Sequence, residues 1–170
     1  MYMISRRRLI LNSAAIFLTG SPAFAQVTGT NSAFSMTMTA NASKAAVFAL
    51  WADTASWPRW DPQISTVSLT GPMRLGARGK VKGTSGPESN IEIIAYEPGV
   101  RFAYAATGPG LRIVFNRQFE QGDATRFTHS VRITGAAAGF LSGSLGRRFQ
   151  QGLPAAMGRL KTMAEAATPR

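Results

Sequence analysis

His129 is the only imidazole in the chain, and there is no Cys. Acid–base chemistry near neutral pH therefore rests on one ring. Arg117 precedes it, with a fixed cation and a fork of donors suited to a carboxylate, a phenolate or an enolate-like oxygen. Both interrupt stripes that are otherwise apolar at alternate positions. Leu111, Ile113, Phe115 and Phe119 flank Arg117, and Phe127, Val131 and Ile133 flank His129. Tyr104 adds a hydroxyl. Two chemistries fit. His129 could act as general base or acid while Arg117 stabilises an enolate-like anion. Alternatively, the group holds the anionic or hydroxylated head of a bound molecule. The plainer readings are a satisfied polar residue on a sheet for His129 and a snorkelling side chain near the Gly122 turn for Arg117. Proximity to Arg117 should disfavour the imidazolium.

Composition closes other routes. Zero Cys excludes disulfides, thiolate metal sites and Cys nucleophiles, and one His excludes multi-His zinc sites. No Gly-x-Gly-x-x-Gly unit sits between a strand and a helix, and there is no phosphate loop and no Gly-x-Ser-x-Gly elbow. No metal or nucleotide cofactor is indicated. The 170 residues fit one domain, and 45% hydrophobic content suits a folded core. Net charge is +11, from 19 Lys+Arg against 8 Asp+Glu. The bases are spread along the chain, apart from Arg147-Arg148 and Arg159-Lys161 on one predicted helix. That cluster allows weak contact with an anionic lipid surface. No nucleic-acid motif accompanies the charge.

Residues 1–25 read as an export signal. A basic start, Ser5-Arg6-Arg7-Arg8, precedes an apolar run through Leu18, and Ala23-Phe24-Ala25 is a small-x-small cleavage site. The Ser-Arg-Arg-x-Leu-Ile-Leu order resembles a twin-arginine signal and points to the periplasm of a bacterium. Residues 26–32 read as a flexible leader, and 33–167 as a single domain.

Ala33 to Ala40 alternates apolar and hydroxyl residues, a half-buried strand. Asn41 or Ser43 can cap a helix over Lys44 to Ala52. Pro58 and Pro62 prevent one regular helix through Trp57-Pro58-Arg59-Trp60-Asp61-Pro62. Strands follow at 64–69, 78–84, 90–97, 100–106, 111–121 and 125–134, with turn residues between them. After a Gly/Ala-rich break at 135–139, an apolar stripe (Leu145, Phe149, Leu153, Met157, Leu160, Met163) predicts a long helix, kinked or restarted at Pro154. An α+β fold results: a curved antiparallel sheet with one long amphipathic helix across it and room for a cavity between.

Turn lengths predict faces. Two-residue closure at Pro98-Gly99 sets Ala95 against Phe102 and Ile93 against Tyr104, with Tyr96 outside. Four-residue closure at Thr107–Gly110 sets Phe102 against Phe115 and Tyr104 against Ile113. Three-residue closure at Gly122–Ala124 sets Phe119 against Phe127, Phe115 against Val131, and Arg117 against His129. Arg117 and His129 then face inward together, with no Asp or Glu on that face. Ala77, Gly79, Val81 and Gly83 make one inner stripe small, leaving volume for a guest or marking a bulge close to the helix.

The Trp-Pro-x-Trp stretch after a Val47-Phe48-Ala49-Leu50-Trp51 helix, the Glu97-Pro98-Gly99 hairpin and the Gly152-Leu153-Pro154 helix resemble the polyketide cyclase/dehydrase and lipid-transport group of the SRPBCC (START-like) superfamily. The resemblance covers about Phe34 to Ala166. It implies a helix-grip fold: seven antiparallel strands around the C-terminal helix, enclosing a hydrophobic cavity. It implies no universal catalytic set. The expected function is periplasmic binding or transport of a hydrophobic or amphipathic small molecule or lipid. The candidate ligand-binding residues are Trp57, Trp60, Phe102, Tyr104, Phe115, Arg117, Phe127 and His129. Trp57 and Trp60 would line the cavity mouth or pack a helical turn against the sheet rim. The alternatives are a cyclase or dehydratase using His129 and Arg117, and an envelope module binding anionic lipid through its basic helix face.

Overall fold

A computed structural model describes residues 25–168. The segment read as an export signal lies outside these residues, apart from Ala25. The chain order is β1 (Thr28–Gly29), β2 (Ala33–Ala40), α1 (Lys44–Ala52), a 3-10 turn (Thr54–Ser56), α2 (Trp57–Trp60), β3 (Ile64–Leu69), β4 (Arg78–Gly83), β5 (Glu88–Glu97), β6 (Arg101–Gly108), β7 (Leu111–Phe119), β8 (Thr125–Thr134) and α3 (Ala138–Ala166). The strands form one antiparallel sheet in the order β1-β2-β8-β7-β6-β5-β4-β3. Its inner face meets α3, which packs on β2, β8, α1 and α2. This is the helix-grip arrangement, with eight strands instead of seven. The extra one is β1, where Thr28 and Gly29 pair with Ser35 and Phe34 inside the stretch read as a flexible leader.

Local chemistry explains the elements before the sheet. The Ser43 hydroxyl accepts from Ala46 N at 3.1 Å and caps α1. Asp53 ends α1 and caps the 3-10 turn through Ala55 N at 3.1 Å. Pro58 sits in the first turn of α2, where its missing N–H costs nothing. The short helix is then pinned by its indoles. Trp57 Nε1 donates to Trp51 O at 3.0 Å, and Trp60 Nε1 donates to Ser56 Oγ at 3.2 Å.

The turns correct two of the three predicted registers. At β7–β8 the pairing is as expected: Phe119 with Phe127, Arg117 with His129 and Phe115 with Val131. At β6–β7 the turn is the two residues Pro109-Gly110, with Gly110 at φ +68°. Proline presets the first turn position and glycine takes the left-handed second. Pairing moves by two residues, so Tyr104 opposes Phe115 and Phe102 opposes Arg117. A shift of two preserves the faces. At β5–β6 the turn is one residue longer, because Glu97 pairs with Arg101, reinforced by their ion pair at 2.6 Å. Tyr96 then opposes Phe102 and turns inward against the Phe48 ring, 5.8 Å away, not outward as predicted. A bulge between Ile93 and Ala95 restores Ile93 opposite Tyr104.

The helix also departs from expectation. It begins at Ala138, inside the predicted break, and runs through Pro154 without restarting. Proline removes one donor and costs about 3 kcal/mol in a helix interior. Burial of Leu153, Met157 and Leu160 on the same helix offsets that. Gly146 is where the helix approaches the β1–β2 connection. A Cβ there would lie 1.8 Å from Asn31 O. Helix propensity favours Ala over Gly by about 1 kcal/mol, but overpacking against backbone costs about 1–3 kcal/mol. Gly146→Ala should therefore lower the urea midpoint. Gly143→Ala, where a Cβ meets nothing within 4 Å, should raise it. Two changes of the same sign would refute this packing account.

Candidate functional site

Arg117 is 3% exposed and His129 is 5% exposed, opposite each other on β7 and β8. The guanidinium carbon lies 5.0 Å from the Trp57 and Trp60 ring centroids and 5.3 Å from those of Phe102 and Tyr104. α2 supplies two walls of this cage, and β6 supplies the other two. His129 is packed among Trp51, Trp60 and Phe127, with ring centroids 5.6–6.2 Å away.

The cage satisfies the cation only in part. A cation–π contact contributes about 0.5–2 kcal/mol, whereas desolvating an ion costs several kcal/mol. Arg117 Nε and Nη1 and His129 Nε2 have no hydrogen-bond partner. Among the described residues the other such buried side-chain atom is Trp51 Nε1, whose ring packs against His129. Natural folds pair most of their buried polar atoms, so orphans gathered in one place mark a site.

Asp61 completes the group. It follows Trp60 at the end of α2, and its Oδ1 accepts from Gln63 N at 3.0 Å. Burial raises its carboxyl above the ordinary value, against the opposing pull of the Gln63 N–H, Arg117 and Arg159. Burial lowers the Arg117 guanidinium, which Tyr104 and Asp61 partly counter. Burial first, and Arg117 second, hold His129 well below 6.5, so the imidazole is neutral. Burial pushes the Tyr104 phenol up to about 12. The inner sheet face carries no carboxylate, as the parity argument required. The carboxylate arrives from a loop, which parity of strands does not reach. The signal available in the sequence was an unpaired inward Arg, which asks for an acid from somewhere.

Two neighbouring spaces adjoin this group. A slot of about 30 Å³ is lined by Asp61, Arg117, His129 and Leu153, among others. A larger cavity of about 220 Å³ lies between sheet and helix, with walls that include Val81, Ile113, Tyr104 and Leu145. Asp61, Gln63, Phe115 and Phe149 line both. The small inner stripe of β4 has split roles. Val81 and Gly83 face the cavity, whereas Gly79 lets the backbones close, since a Cβ there would meet Ser68 O at 1.9 Å.

The candidate residues fall into two groups. Tyr104, Phe115, Arg117 and His129 line one or both spaces. Trp57, Trp60, Phe102 and Phe127 are fully buried and line neither. The first three hold Arg117, and Phe127 backs His129. Sequence reasoning missed Asp61, Gln63 and the helix residues Leu145, Arg148 and Phe149.

The fold and this cavity define a helix-grip protein with an internal apolar chamber ending in a polar group. The profile of the family described as polyketide cyclase / dehydrase and lipid transport matches residues 32–165, and the chain belongs to that family. The family binds hydrophobic small molecules in an internal cavity. No curated protein matches the chain. The di-domain ARO/CYC StfQ from the steffimycin biosynthetic pathway is similar at TM-score 0.66 and 10% identity, over 79% of this chain and 51% of StfQ. Ara h 8.0201 is similar at TM-score 0.63 and 14% identity, over 79% and 97% of the two chains. A protein from Thermus thermophilus, TTHA0849, is similar at TM-score 0.62 and 13% identity, over 79% and 98%. At such identities the likeness carries the fold.

A neutral buried His has a stability signature. Below 6.5 the unfolded chain takes up a proton that the folded His129 refuses. Stability must therefore fall with falling pH, with a slope approaching about 1.4 kcal/mol per pH unit. Asp61 acts oppositely, because its raised value favours the folded state at acid pH, in a window starting near 3.8. Urea midpoints between about pH 7 and pH 5 should drop more in the wild type than in His129→Asn, where the opposing Asp61 dependence is left. Parallel profiles would mean that His129 does not titrate as described.

Proposed function

We propose that the protein binds a hydrophobic or amphipathic small molecule in the chamber between sheet and helix, and carries it without altering it. The observation that carries this reading is the apolar cavity of about 220 Å³ ending beside Arg117, His129 and Asp61. The apolar body of the guest packs on Val81, Ile113, Phe115 and Leu145. An oxygen on its head accepts from the guanidinium edge. The small slot admits one polar group, not a bulky headgroup. The signal-like Arg6-Arg7-Arg8 start and apolar run support a periplasmic setting.

Native mass spectrometry of protein purified from the periplasm should find a chain beginning at Gln26 with a bound small molecule. Val81→Trp should fill the chamber and weaken binding of that molecule at least about tenfold. Wild-type protein that is empty and takes up no apolar probe would overturn the carrier reading.

One observation favours a second reading, a cyclase or dehydratase. Asp61 supplies the second titratable group that the sheet lacks, held toward its protonated form beside a neutral imidazole. A base and an acid in one slot, with Arg117 available to an enolate-like oxygen, are parts for proton transfer at a carbon next to a carbonyl. On this reading a β-hydroxyketone or poly-β-ketone probe is turned over. His129→Ala and Asp61→Asn each slow turnover by about a hundredfold or more. Full turnover in His129→Ala would eliminate the mechanism.

A further inference from the structure

The chamber opens at one end of the sheet. Its mouth is bounded by the β4–β5 turn (Ser85, Gly86, Pro87), the β6–β7 turn (Gly108, Pro109) and the first turns of α3 (Leu145, Arg148). At this same end α3 begins, and Ala137 N donates to Gly110 O at 2.9 Å, tying the helix start to the β6–β7 turn. From its first turn Phe140 stands 91% exposed, with Leu141 beside it at 40%. A lone exposed Leu needs no explanation, but an almost fully solvated Phe adjoining another apolar residue at a cavity mouth does.

The charge around this rim has one sign. Arg147 and Arg148 follow Phe140 and Leu141 by seven residues, two helical turns and about 10 Å, on the same helix faces. Arg112 and Arg132 lie near the same end on β7 and β8. All four are exposed, and none makes an ion pair among the described residues. The carboxylate at this end, Glu88, is taken by Lys80 at 2.8 Å. The other bases of the helix, Arg159 and Lys161, lie apart from this rim. Lys161 pairs with Glu165 toward the far end of α3, and Arg159 lies eleven residues past Arg148. The other exposed large apolar residues, Leu75 and Val100, sit in separate turns at the opposite end of the strands.

We propose that the open end of the chamber docks on an anionic lipid bilayer, with Phe140 and Leu141 entering the interface and Arg112, Arg132 and Arg147 meeting the headgroups. An apolar tip with a cation two turns behind it matches the depth profile of a bilayer interface, where long bases snorkel outward. Near an anionic surface each base contributes attraction that salt screens. Arg148 joins α3 to the β4–β5 turn through a hydrogen bond to Ser85 Oγ, bridging the mouth. Headgroups compete for that guanidinium, so docking loosens the bridge where a guest must pass. Passage of a guest rests on the carrier reading; docking itself does not.

The test is co-sedimentation with vesicles of phosphatidylcholine and phosphatidylglycerol at about two to one, and of phosphatidylcholine alone. Full-length protein is used throughout. The ratio of variant to wild type is the readout, so the apolar run at 9–18 contributes equally to both. Phe140→Ser should weaken binding to the anionic vesicles about tenfold. Arg112→Ser with Arg147→Ser should weaken it about tenfold or more at low salt, and have little effect on phosphatidylcholine alone. Leu75→Ser should bind as the wild type does. Wild-type affinity in both rim variants, or equal loss in Leu75→Ser, would overturn the proposal. So would a dimer in solution that Phe140→Ser abolishes, which would assign the patch to a second copy of the chain. Loss of cavity binding in Val81→Trp with vesicle binding retained would leave docking standing apart from the carrier reading.

Discussion

The burial of one guanidinium organises this protein. Arg117 sits inside an apolar sheet face without a carboxylate on the neighbouring strands, and an unaided cation there costs several kcal/mol. Four aromatic rings take part of that cost, two from β6 and two from α2. α2 is only four residues long and would not hold an orientation by itself. It is held because Trp57 donates to the end of α1 and Trp60 to Ser56, whose hydroxyl reaches Leu50 O and Asp53 O in turn. The Trp-Pro-Arg-Trp stretch is thus a lid over a charge before it is anything else. By fixing Trp60, it also places Asp61, the next residue, beside the cation it helps to balance.

The same arrangement divides the interior into a solid half and an open half. Toward the α1 end, Trp51, Phe119, Phe127 and His129 fill the space between sheet and helix. Toward the other end the inner surface of β4 is small, and α3 presents Leu145 and Phe149 at a distance. The small inner residues of β4, Val81 and Gly83, leave part of that half unfilled, between large walls such as Tyr104, Ile113 and Phe149. Arg117, His129 and Asp61 stand at the boundary. A guest entering the open half therefore meets apolar walls first and the polar group last.

Charge is segregated along the same axis. The cation at the inner end is dehydrated, caged and only partly balanced. The cations at the outer end are exposed and make no ion pair among the described residues, and they share that end with an exposed Phe. On the carrier reading we propose, a chamber with donors at its floor and an apolar, basic rim suits molecules that are apolar along their length and carry an oxygen at the leading end. Such molecules partition into membranes, so one physical character links the inside of the cavity to its mouth.

Much of this was legible from residues alone. Alternation marks each strand. Asn41 and Ser43 mark where α1 can start, and the position of Pro58 between two Trp residues marks a broken helical segment. The pairing of Arg117 with His129 follows from the parity of one turn. Parity is robust because errors of two residues leave every face unchanged, and that is why the misread β6–β7 turn did no harm. The β5–β6 turn was wrong by one, and only a bulge, invisible in the residue pattern, rescued Ile93 and Tyr104 while turning Tyr96 inward. Asp61 lay beyond such reasoning. Alternation describes a strand relative to its own sheet, whereas a loop residue's direction depends on what its neighbours anchor to. The local sequence determined which residues face inward along the strands other than the bulged β5, and where α1 starts. Only the tertiary structure decided which inward residues fill the core and which line a space, because that division depends on how far the sheet bends from the helix, a distance no short stretch of sequence encodes.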